Sequence, residues 1–244
     1  MSARAFATAL ALAALAPLAA CGEKTVGPTG VTPTKPFGRM RVVNAVPNAT
    51  IADRVNVTVD GVPFAVNLAY GAVAPSGTAL YYPAYEGARK VAVRRTADTT
   101  VKVLDEDVDI EANTDRTLYI LGTRTGTPAL FVRIDDNSPP AAGNIKLRLV
   151  DLARTAGNVD VYVTAPNASI ATIAPTIPNL LLGDATRYVS LPAGSYQVRL
   201  TTPGTKTVLL TVNTGALAAG AIRTVVALDP VTGTALTSAL LTDR

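Results

Sequence analysis

Apolar and polar residues alternate in short runs along the chain, a pattern typical of half-buried β-strands. Residues 55–59 (VNVTV) place three valines on one face, and residues 146–149 (KLRL) place two leucines on one face and two basic residues on the outward face. Between such runs, residues 60–61 (DG) and 192–194 (PAG) predict tight turns. No segment has a convincing amphipathic helical pattern, so we expect an all-β protein.

Several features of the chain recur at a fixed spacing, which indicates an internal duplication. Four matching features are each separated by 107 positions: Gly87 and Gly194, 100–101 and 207–208, 116–117 and 223–224, and 125–127 and 232–234. Nearer the start of each copy the spacing is 104, with residues 55–59 lying over 159–163 (VDVYV). We therefore predict a tandem repeat.

Each copy of roughly 100 residues is long enough for its own core and contains about seven strand candidates. This predicts two tandem antiparallel β-sandwich domains of immunoglobulin-like size, over residues 38–136 and 144–244. The Pro-containing stretch at 137–143 is expected to link them. A single Cys and the absence of Trp exclude the Cys–Trp–Cys core of an antibody domain.

The N-terminal segment has the organisation of an export signal. Arg4 is followed by an apolar stretch of about 14 residues, too short to span a bilayer as a helix. Residues 18–20 (LAA) then precede Cys21, the single cysteine, and this arrangement resembles the lipobox of bacterial lipoproteins, where the cysteine is acylated. The alternative is an ordinary secretory signal followed by an unrelated cysteine. We predict a lipoprotein signal peptide at 1–20 and lipidation of Cys21.

Residues 21–37 contain Pro and Gly without a periodic apolar pattern, and they predict a flexible tether. Acyl chains such as palmitate on Cys21 would bind the membrane stably, because two or more chains exceed the marginal binding of one. Gly22 stands where an Asp commonly signals inner-membrane retention in lipoproteins of diderm bacteria. We therefore expect an exported protein, lipid-anchored to the cell envelope and on the outer membrane if the host is diderm.

Five segments combine strand and turn motifs: 41–49 (RVVNAVPNA), 55–61 (VNVTVDG), 68–71 (LAYG), 158–163 (NVDVYV) and 189–198 (VSLPAGSYQV). Together these motifs resemble the DUF4397 domain family. The resemblance covers residues 39–135 and 144–243, and it implies secreted or surface-anchored bacterial domains, often in tandem, that bring no catalytic residues. The second copy departs from the family at 149–152 (LVDL) and carries extra Pro-rich sequence at 166–178.

Composition excludes several kinds of chemistry. The chain has no His and one Cys, so a Ser-His-Asp or Cys-His arrangement is impossible and transition metals lose their usual ligands. The formal net charge is +4, or +3 once residues 1–20 with their one Arg are removed, which does not indicate nucleic-acid binding. We expect no cofactor.

One acidic run could bind a cation. On a strand, Asp105, Asp107, Asp109 and Glu111 share a face, and clustered carboxylate oxygens are the ligands that Ca²⁺ prefers. The other interpretation, which we favour, is a solvated edge strand whose charges oppose edge-to-edge pairing.

Three tyrosines form the second candidate site. Tyr81, Tyr82 and Tyr85 could stack on a sugar or a protein partner, although alternation sends Tyr81 and Tyr82 to opposite faces, so at least one is expected in the core. The sequence as a whole favours a non-catalytic, lipid-anchored envelope protein with a structural, adhesive or partner-binding role. A carbohydrate- or peptide-binding surface lipoprotein is the alternative, and a hydrolase using only carboxylates is a weaker one.

Overall fold

The computed structural model describes residues 35–47, 53–122 and 127–244, and the regular structure of these residues consists of β-strands. The first half contains β1 (Phe37–Ala45), β2 (Arg54–Val59), β3 (Val62–Ala69), β4 (Val73–Ala74), β5 (Tyr82–Tyr85), β6 (Gly87–Arg95), β7 (Lys102–Ile110), β8 (Asp115–Leu121) and β9 (Ala129–Asp135). The second half contains β10 (Asn144–Leu152), β11 (Val159–Thr164), β12 (Ile177–Leu180), β13 (Val189–Pro192), β14 (Gly194–Thr201), β15 (Val208–Leu217), β16 (Ile222–Leu228) and β17 (Thr237–Thr242). The predicted all-β class is confirmed.

The strands of the first half form two sheets that pack face to face. Sheet I has the order β4-β1-β8-β9, with β5 also paired to β1, and sheet II has the order β3-β2-β6-β7. The core between them is built from alternate residues of each strand, as the periodicity predicts: Met40, Val42, Leu118 and Ile120 from sheet I, and Val55, Val57, Val59, Val91 and Val93 from sheet II.

The second half repeats this construction. Sheet III has the order β13-β10-β16-β17 and sheet IV the order β12-β11-β14-β15. Their shared core includes Leu147, Leu149, Val225 and Ala227 from sheet III and Val159, Val161, Val198 and Leu200 from sheet IV. Each half is therefore a sandwich of two sheets.

The strand pairings carry the duplication found in the sequence. Val59 pairs with Val91 in the first half, and Val163 pairs with Val198 in the second. Val59 on β2 and Val163 on β11 are 104 positions apart, and Val91 on β6 and Val198 on β14 are 107 positions apart. The two predicted spacings thus describe equivalent positions in the two halves.

One pairing in each half departs from the expected antiparallel arrangement. β1 lies parallel to β8, and β10 lies parallel to β16. In each half, all four strands of the second sheet lie in the chain between the two parallel strands of the first sheet. A parallel pair needs such a long connection, whereas a hairpin gives an antiparallel pair.

A third apolar cluster lies between the two halves. It joins the outer face of sheet I to the outer face of sheet III through Val43, Ala45 and Tyr119 on one side and Val150, Leu152, Val226, Leu228 and Leu241 on the other. Strands β1, β10 and β16 are consequently buried on both faces. This explains their consecutive apolar residues at 42–43, 149–150 and 225–226.

Local predictions fare differently along the chain. Asp60 and Gly61 have φ angles of 50° and 81° and join β2 to β3, which confirms the predicted hairpin turn. Strand β1 begins at Phe37, which the sequence placed at the end of the tether. The signal peptide, Cys21 and the tether up to residue 34 lie outside the described residues. In the described part of the chain, no helix is long and apolar enough to cross a membrane.

Candidate functional site between the two halves

Charged side chains are buried beside the apolar contact between sheets I and III. Arg41 and Asp135 come from sheet I, while Arg148 lies on β10 and Asp243 directly follows β17. None of the four side chains is more than 4 % exposed. Together with Tyr81 and Tyr188 we call them the interface cluster. Buried charges are tolerated only when they are paired and hydrogen-bonded, so their partners decide what the cluster does.

Arg41 reaches from the first half into the second. Its Nη2 pairs with the Asp243 carboxylate, and its Nη1 donates to the carbonyl oxygen of Thr242 at 2.8 Å. Within its own sheet, its Nε donates to Thr117 Oγ1 at 2.7 Å. Burial opposes the charge of Arg41, but the nearby Asp243 raises its pKa above the ordinary value, so the guanidinium stays charged.

Arg148 makes the equivalent contacts in the opposite direction. Its Nη2 donates to Asp135 Oδ1 at 2.5 Å and its Nη1 to the carbonyl oxygen of Ile134 at 3.1 Å. Its Nε donates to Thr224 Oγ1 at 3.2 Å. Each half therefore supplies an arginine that binds the end of the other half's edge strand. The contacts of Arg41 and those of Arg148 are reciprocal across the interface.

A tyrosine completes each set. Tyr81 donates its hydroxyl to Asp135 Oδ2 at 2.8 Å, and Tyr188 donates to Asp243 Oδ2 at 3.0 Å. The Arg41 guanidinium lies 4.7 Å from the Tyr81 ring centre, and that of Arg148 lies 4.6 Å from the Tyr188 ring centre, within cation–π range. Burial raises the pKa of both phenols, so both act as hydrogen-bond donors at neutral pH.

The interface cluster is balanced in charge and closed to solvent. Two guanidinium groups face two carboxylates, and every one of the four charged groups has hydrogen-bond partners within the cluster. A general acid or base must come within hydrogen-bond distance of a substrate, and the burial of these four groups does not favour such contact. Groups with this burial and pairing are suited to holding the two halves in one register.

An open groove of about 570 Å³ lies beside the cluster, at the end of the first sandwich. Its lining includes Phe37, Arg39, Asp115 and Asn137. Asp115 accepts two hydrogen bonds from Arg39, through Nε and Nη2 and both at 2.7 Å, and a third from Asn137 Nδ2 at 2.7 Å. Asp136, also on the groove, pairs with Lys146 at 2.7 Å. These acids are thus already engaged.

The three candidate tyrosines occupy three different environments. Tyr81 belongs to the interface cluster, and Tyr82 packs at the margin of the first core with its ring 5.5 Å from that of Phe64, edge to face. Tyr85 is half-buried and lies opposite Phe37 in the β1–β5 pair. The expectation that Tyr81 and Tyr82 point to opposite faces, with at least one buried, agrees with these positions. The three side chains do not form one aromatic surface.

The three aspartates of the acidic run lie on β7, which is an edge strand of sheet II, with Asp107 and Asp109 exposed, and Glu111 follows directly after the strand. Asp105 pairs with Arg94 and with Lys102 Nζ at 3.3 Å, and the bond from Arg94 is the main cause that lowers its pKa to about 2. Glu111 pairs with Arg116 at 3.1 Å. Among the residues that the structure describes, no group of three or more acidic or cysteine side chains could hold a metal ion.

The interface cluster was missed by sequence reasoning. Alternation correctly turned Lys146 and Arg148 away from their own core, but it assigned them to an outward face, whereas their exposed fractions are 8 % and 4 %. The outer face of sheet I is covered by the second half, and the outer face of sheet III is covered by the first half. The available signal was the recurrence of an arginine at 41 and 148, 107 positions apart, within strands with consecutive apolar residues.

A model of one protein family, a domain of unknown function called DUF4397, matches residues 38–162. This is more than half of the chain. The chain belongs to the DUF4397 family. The resemblance identified from the motifs is thereby confirmed for the first sandwich. The matched region of this DUF4397 protein continues into β10 and β11 of the second half, and residues 163–244 lie outside it.

Solved structures resemble the DUF4397 chain only distantly. A family 41 carbohydrate-binding module from streptococcal virulence factors, which recognises α-glucan, is 9 % identical with a TM-score of 0.25, over 78 % of this chain and 93 % of that one. A family 26 module of Eubacterium rectale Amy13K, in complex with maltoheptaose, is 9 % identical with a TM-score of 0.27, over 84 % and 97 %. Such scores carry no information about a ligand. No curated protein sequence matches the chain.

Proposed function

We propose that this DUF4397 protein is a non-catalytic component of the bacterial cell envelope. In this proposal a lipid on Cys21 anchors it, and its two sandwiches act as one rigid body that presents a surface to an envelope partner. The observation that carries the proposal is the reciprocal pairing of Arg41 with Asp243 and of Arg148 with Asp135. An interface with buried, directional pairs fixes the relative position of the two halves.

The distribution of acid and base groups supports a non-catalytic role. Two arginines and two aspartates are buried together in the interface cluster, and the acids Asp115 and Asp136 along the open groove have cationic partners. Nucleophilic catalysis by a histidine-activated residue is excluded by composition, because the chain contains no His. The polar residues are thus used mainly for structure.

The lipid anchor is supported by the sequence alone. Residues 18–20 (LAA) and Cys21 end an apolar stretch of signal-peptide length. A substitution tests it directly: wild-type protein is expected in the membrane fraction and Cys21→Ser in the soluble fraction, with both proteins folded. Cys21→Ser protein that remains wholly in the membrane pellet would overturn the anchor.

The same soluble Cys21→Ser protein serves to test the partner-binding role. After crosslinking in envelope extract it is expected to recover a small, reproducible set of envelope proteins. A panel of hydrolase and transferase substrates should give no turnover. Reproducible turnover by the purified protein would contradict the non-catalytic assignment, whatever it binds.

Binding of a carbohydrate or peptide is a second candidate, favoured by the 570 Å³ groove at the end of the first sandwich. Phe37 lines this groove, and Tyr85 lies opposite Phe37 in the β1–β5 pair. These two aromatic side chains adjoin the polar side chains of the groove. Such surfaces suit sugar stacking. Glycan-array binding lost in Tyr85→Ala and kept in Val66→Ala, a control 71 % exposed on sheet II, would support it. Tyr82→Ala is less suitable, because that ring packs against the core.

A further inference from the structure

One buried carboxyl group of the second half has an oxygen for which the described residues supply no hydrogen-bond partner. Asp151 lies on β10 and is 0 % exposed. Its Oδ1 accepts a hydrogen bond from the Ala153 backbone N–H at 3.0 Å, whereas its Oδ2 has no hydrogen-bond partner among the described residues. A charged oxygen in this position would lose its hydration without compensation, which is strongly unfavourable.

The first half has an amide at the equivalent position. Asn44 precedes Asp151 by 107 residues, and its Oδ1 accepts a hydrogen bond from the Val46 N–H at 3.2 Å, as Asp151 Oδ1 does from Ala153. The other atom of the amide, Nδ2, donates to the carbonyl oxygen of Leu68 at 3.2 Å. The atom that takes the place of this donor in the second half is Asp151 Oδ2.

The acceptor is also repeated. Leu68 pairs with Val55, and Leu180 pairs with the equivalent Val159. Three residues further on, Gly71 donates its N–H to the Asn44 carbonyl at 2.7 Å, and Gly183 donates to the Asp151 carbonyl at 2.8 Å. Leu180 is therefore the counterpart of Leu68. By this correspondence, the carbonyl oxygen of Leu180 would face Asp151 Oδ2. Both oxygens are acceptors when the carboxyl group is ionised, so a hydrogen bond between them requires a proton on Oδ2.

We propose that Asp151 is a neutral carboxylic acid that donates its Oδ2 proton to the Leu180 carbonyl, and that its ionisation weakens the attachment of the turn at 181–184 to β10. Apart from this contact, the turn is attached to β10 by two backbone bonds, Gly183 N–H to the Asp151 carbonyl and Asp151 N–H to the Asp184 carbonyl at 2.9 Å. Elsewhere on the turn, Leu182 N–H donates to Asn158 Oδ1 at 3.2 Å. The exposed side chains of Leu181 and Leu182 lie on it. The second half thus carries a pH-sensitive contact that the first half, with Asn44, lacks.

The surroundings of Asp151 favour the neutral form. Burial raises the pKa of its carboxyl group to about 7, the bond from Ala153 opposes this shift, and the charge of Asp229 adds to it. Asp229, after β16, accepts hydrogen bonds from Thr155 N–H and Oγ1 at 2.8 and 2.7 Å. On the turn, Asp184 pairs with Arg133 of the first half at 3.3 Å.

The sign of the pH dependence follows from this shift. In the unfolded chain an aspartic acid has a pKa of about 4, so between about pH 4 and pH 7 the folded state binds the proton and the unfolded state does not. The contribution of Asp151 to stability is therefore most favourable below about pH 4. It falls as the pH rises towards 7 and stays low above it.

Carboxyl-carbon NMR of the full chain gives the direct test. The Asp151 carboxyl resonance, assigned by its loss in Asp151→Asn, is expected to titrate with a midpoint between about pH 6 and 8. Asp151→Asn restores the amide of the first half. It should leave the melting temperature nearly unchanged at pH 4 and raise it by about 5 °C or more at pH 8. A midpoint below pH 5, or a difference independent of pH, would overturn the proposal.

The reciprocal variant is a matched control. Asn44→Asp should add a second pH-dependent group in the first half, so that the melting temperature of the variant falls further below that of the wild type between pH 5 and pH 8. A deficit that is the same at every pH would mean that the site does not hold a neutral acid. The Asp151→Asn comparison remains informative if Asn44→Asp fails to fold.

Discussion

Arg41, on the first strand, forms a buried ion pair with Asp243, the residue before the C-terminal Arg244. The two residues are 202 positions apart in the sequence, and their side chains are 1 % and 0 % exposed. The pair of Arg148 and Asp135 repeats the contact from the other half at 2.5 Å. The two ends of the described chain are thus held together at the interface between the sandwiches.

Buried ion pairs usually add little net stability, because the desolvation cost offsets the attraction, but removing one partner is strongly unfavourable. The apolar cluster between sheets I and III supplies the favourable burial, and the paired charges select one register for it. A slipped interface would separate Arg41 from Asp243 and Arg148 from Asp135, and it would leave Arg148 and Asp243 buried without these partners. This explains why polar and apolar residues occupy the same interface.

The tyrosines of the interface cluster should be equally important in the two halves. Tyr81→Phe and Tyr188→Phe each remove a hydrogen bond to a buried carboxylate, so each is expected to lower the free energy of unfolding by about 1–2 kcal/mol. Urea denaturation measures this loss. Tyr196→Phe is the control, because its hydroxyl binds the Pro192 carbonyl at an exposed site and its loss should cost less than about 0.5 kcal/mol. An equal loss of unfolding free energy in all three variants would contradict the role of Tyr81 and Tyr188 as donors to buried carboxylates.

The acidic edge strand should behave as a surface feature. Asp105→Asn removes a pair with Arg94 near the surface, so the loss of stability at pH 7 should be below about 1 kcal/mol. Because Arg94 lowers the pKa of Asp105, the contribution is present above about pH 4 and lost as the pH falls towards 2. Millimolar Ca²⁺ should leave the melting temperature unchanged. A rise that Asp107→Asn abolishes would show that β7 binds the cation instead.

Gly38 on β1 should not tolerate a side chain. A Cβ at this position would lie 2.9 Å from a methyl carbon of Ile110 and in closer conflict with the backbone oxygen of Glu111, which cannot move independently. Gly38→Ala is therefore expected to lower the free energy of unfolding by about 1–3 kcal/mol. Gly122→Ala is the comparison, since the nearest atoms to its Cβ belong to the Val46 side chain, the closest at 2.8 Å, and a smaller loss is expected there. The reverse order would contradict the close approach of β1 to the end of β7.

Local features of this fold could be predicted from the sequence. The alternation of Val55, Val57 and Val59 correctly gave their burial, and the two spacings between the copies correspond to equivalent strand pairs. Such features depend on neighbours within a strand or on a nearby turn. They need no knowledge of how the halves are arranged.

The interface cluster could not be predicted in the same way. Arg41 and Arg148 have the alternation of solvent-facing residues, and only the packing of one sandwich on the other buries them. The acidic partner of Arg41 follows β17 and is 202 positions away, and the acidic partner of Arg148 lies on β9, in the other half. Contacts between the two halves depend on how the sandwiches pack on each other, and the periodicity within a strand gives no information about that packing.

The central claim is that the two sandwiches form one body through reciprocal charged pairs, and a double-mutant cycle between Arg41 and Asp243 tests it most directly. Arg41→Ala and Asp243→Ala should each lower the free energy of unfolding by about 3–5 kcal/mol, and the double variant by at least 2 kcal/mol less than about the sum of the two. A cycle on the more exposed pair of Arg89 and Asp60 serves as control, with an expected coupling below about 1 kcal/mol. A coupling of less than about 0.5 kcal/mol between Arg41 and Asp243 would contradict the claim, because it would mean that the two halves do not meet through this pair.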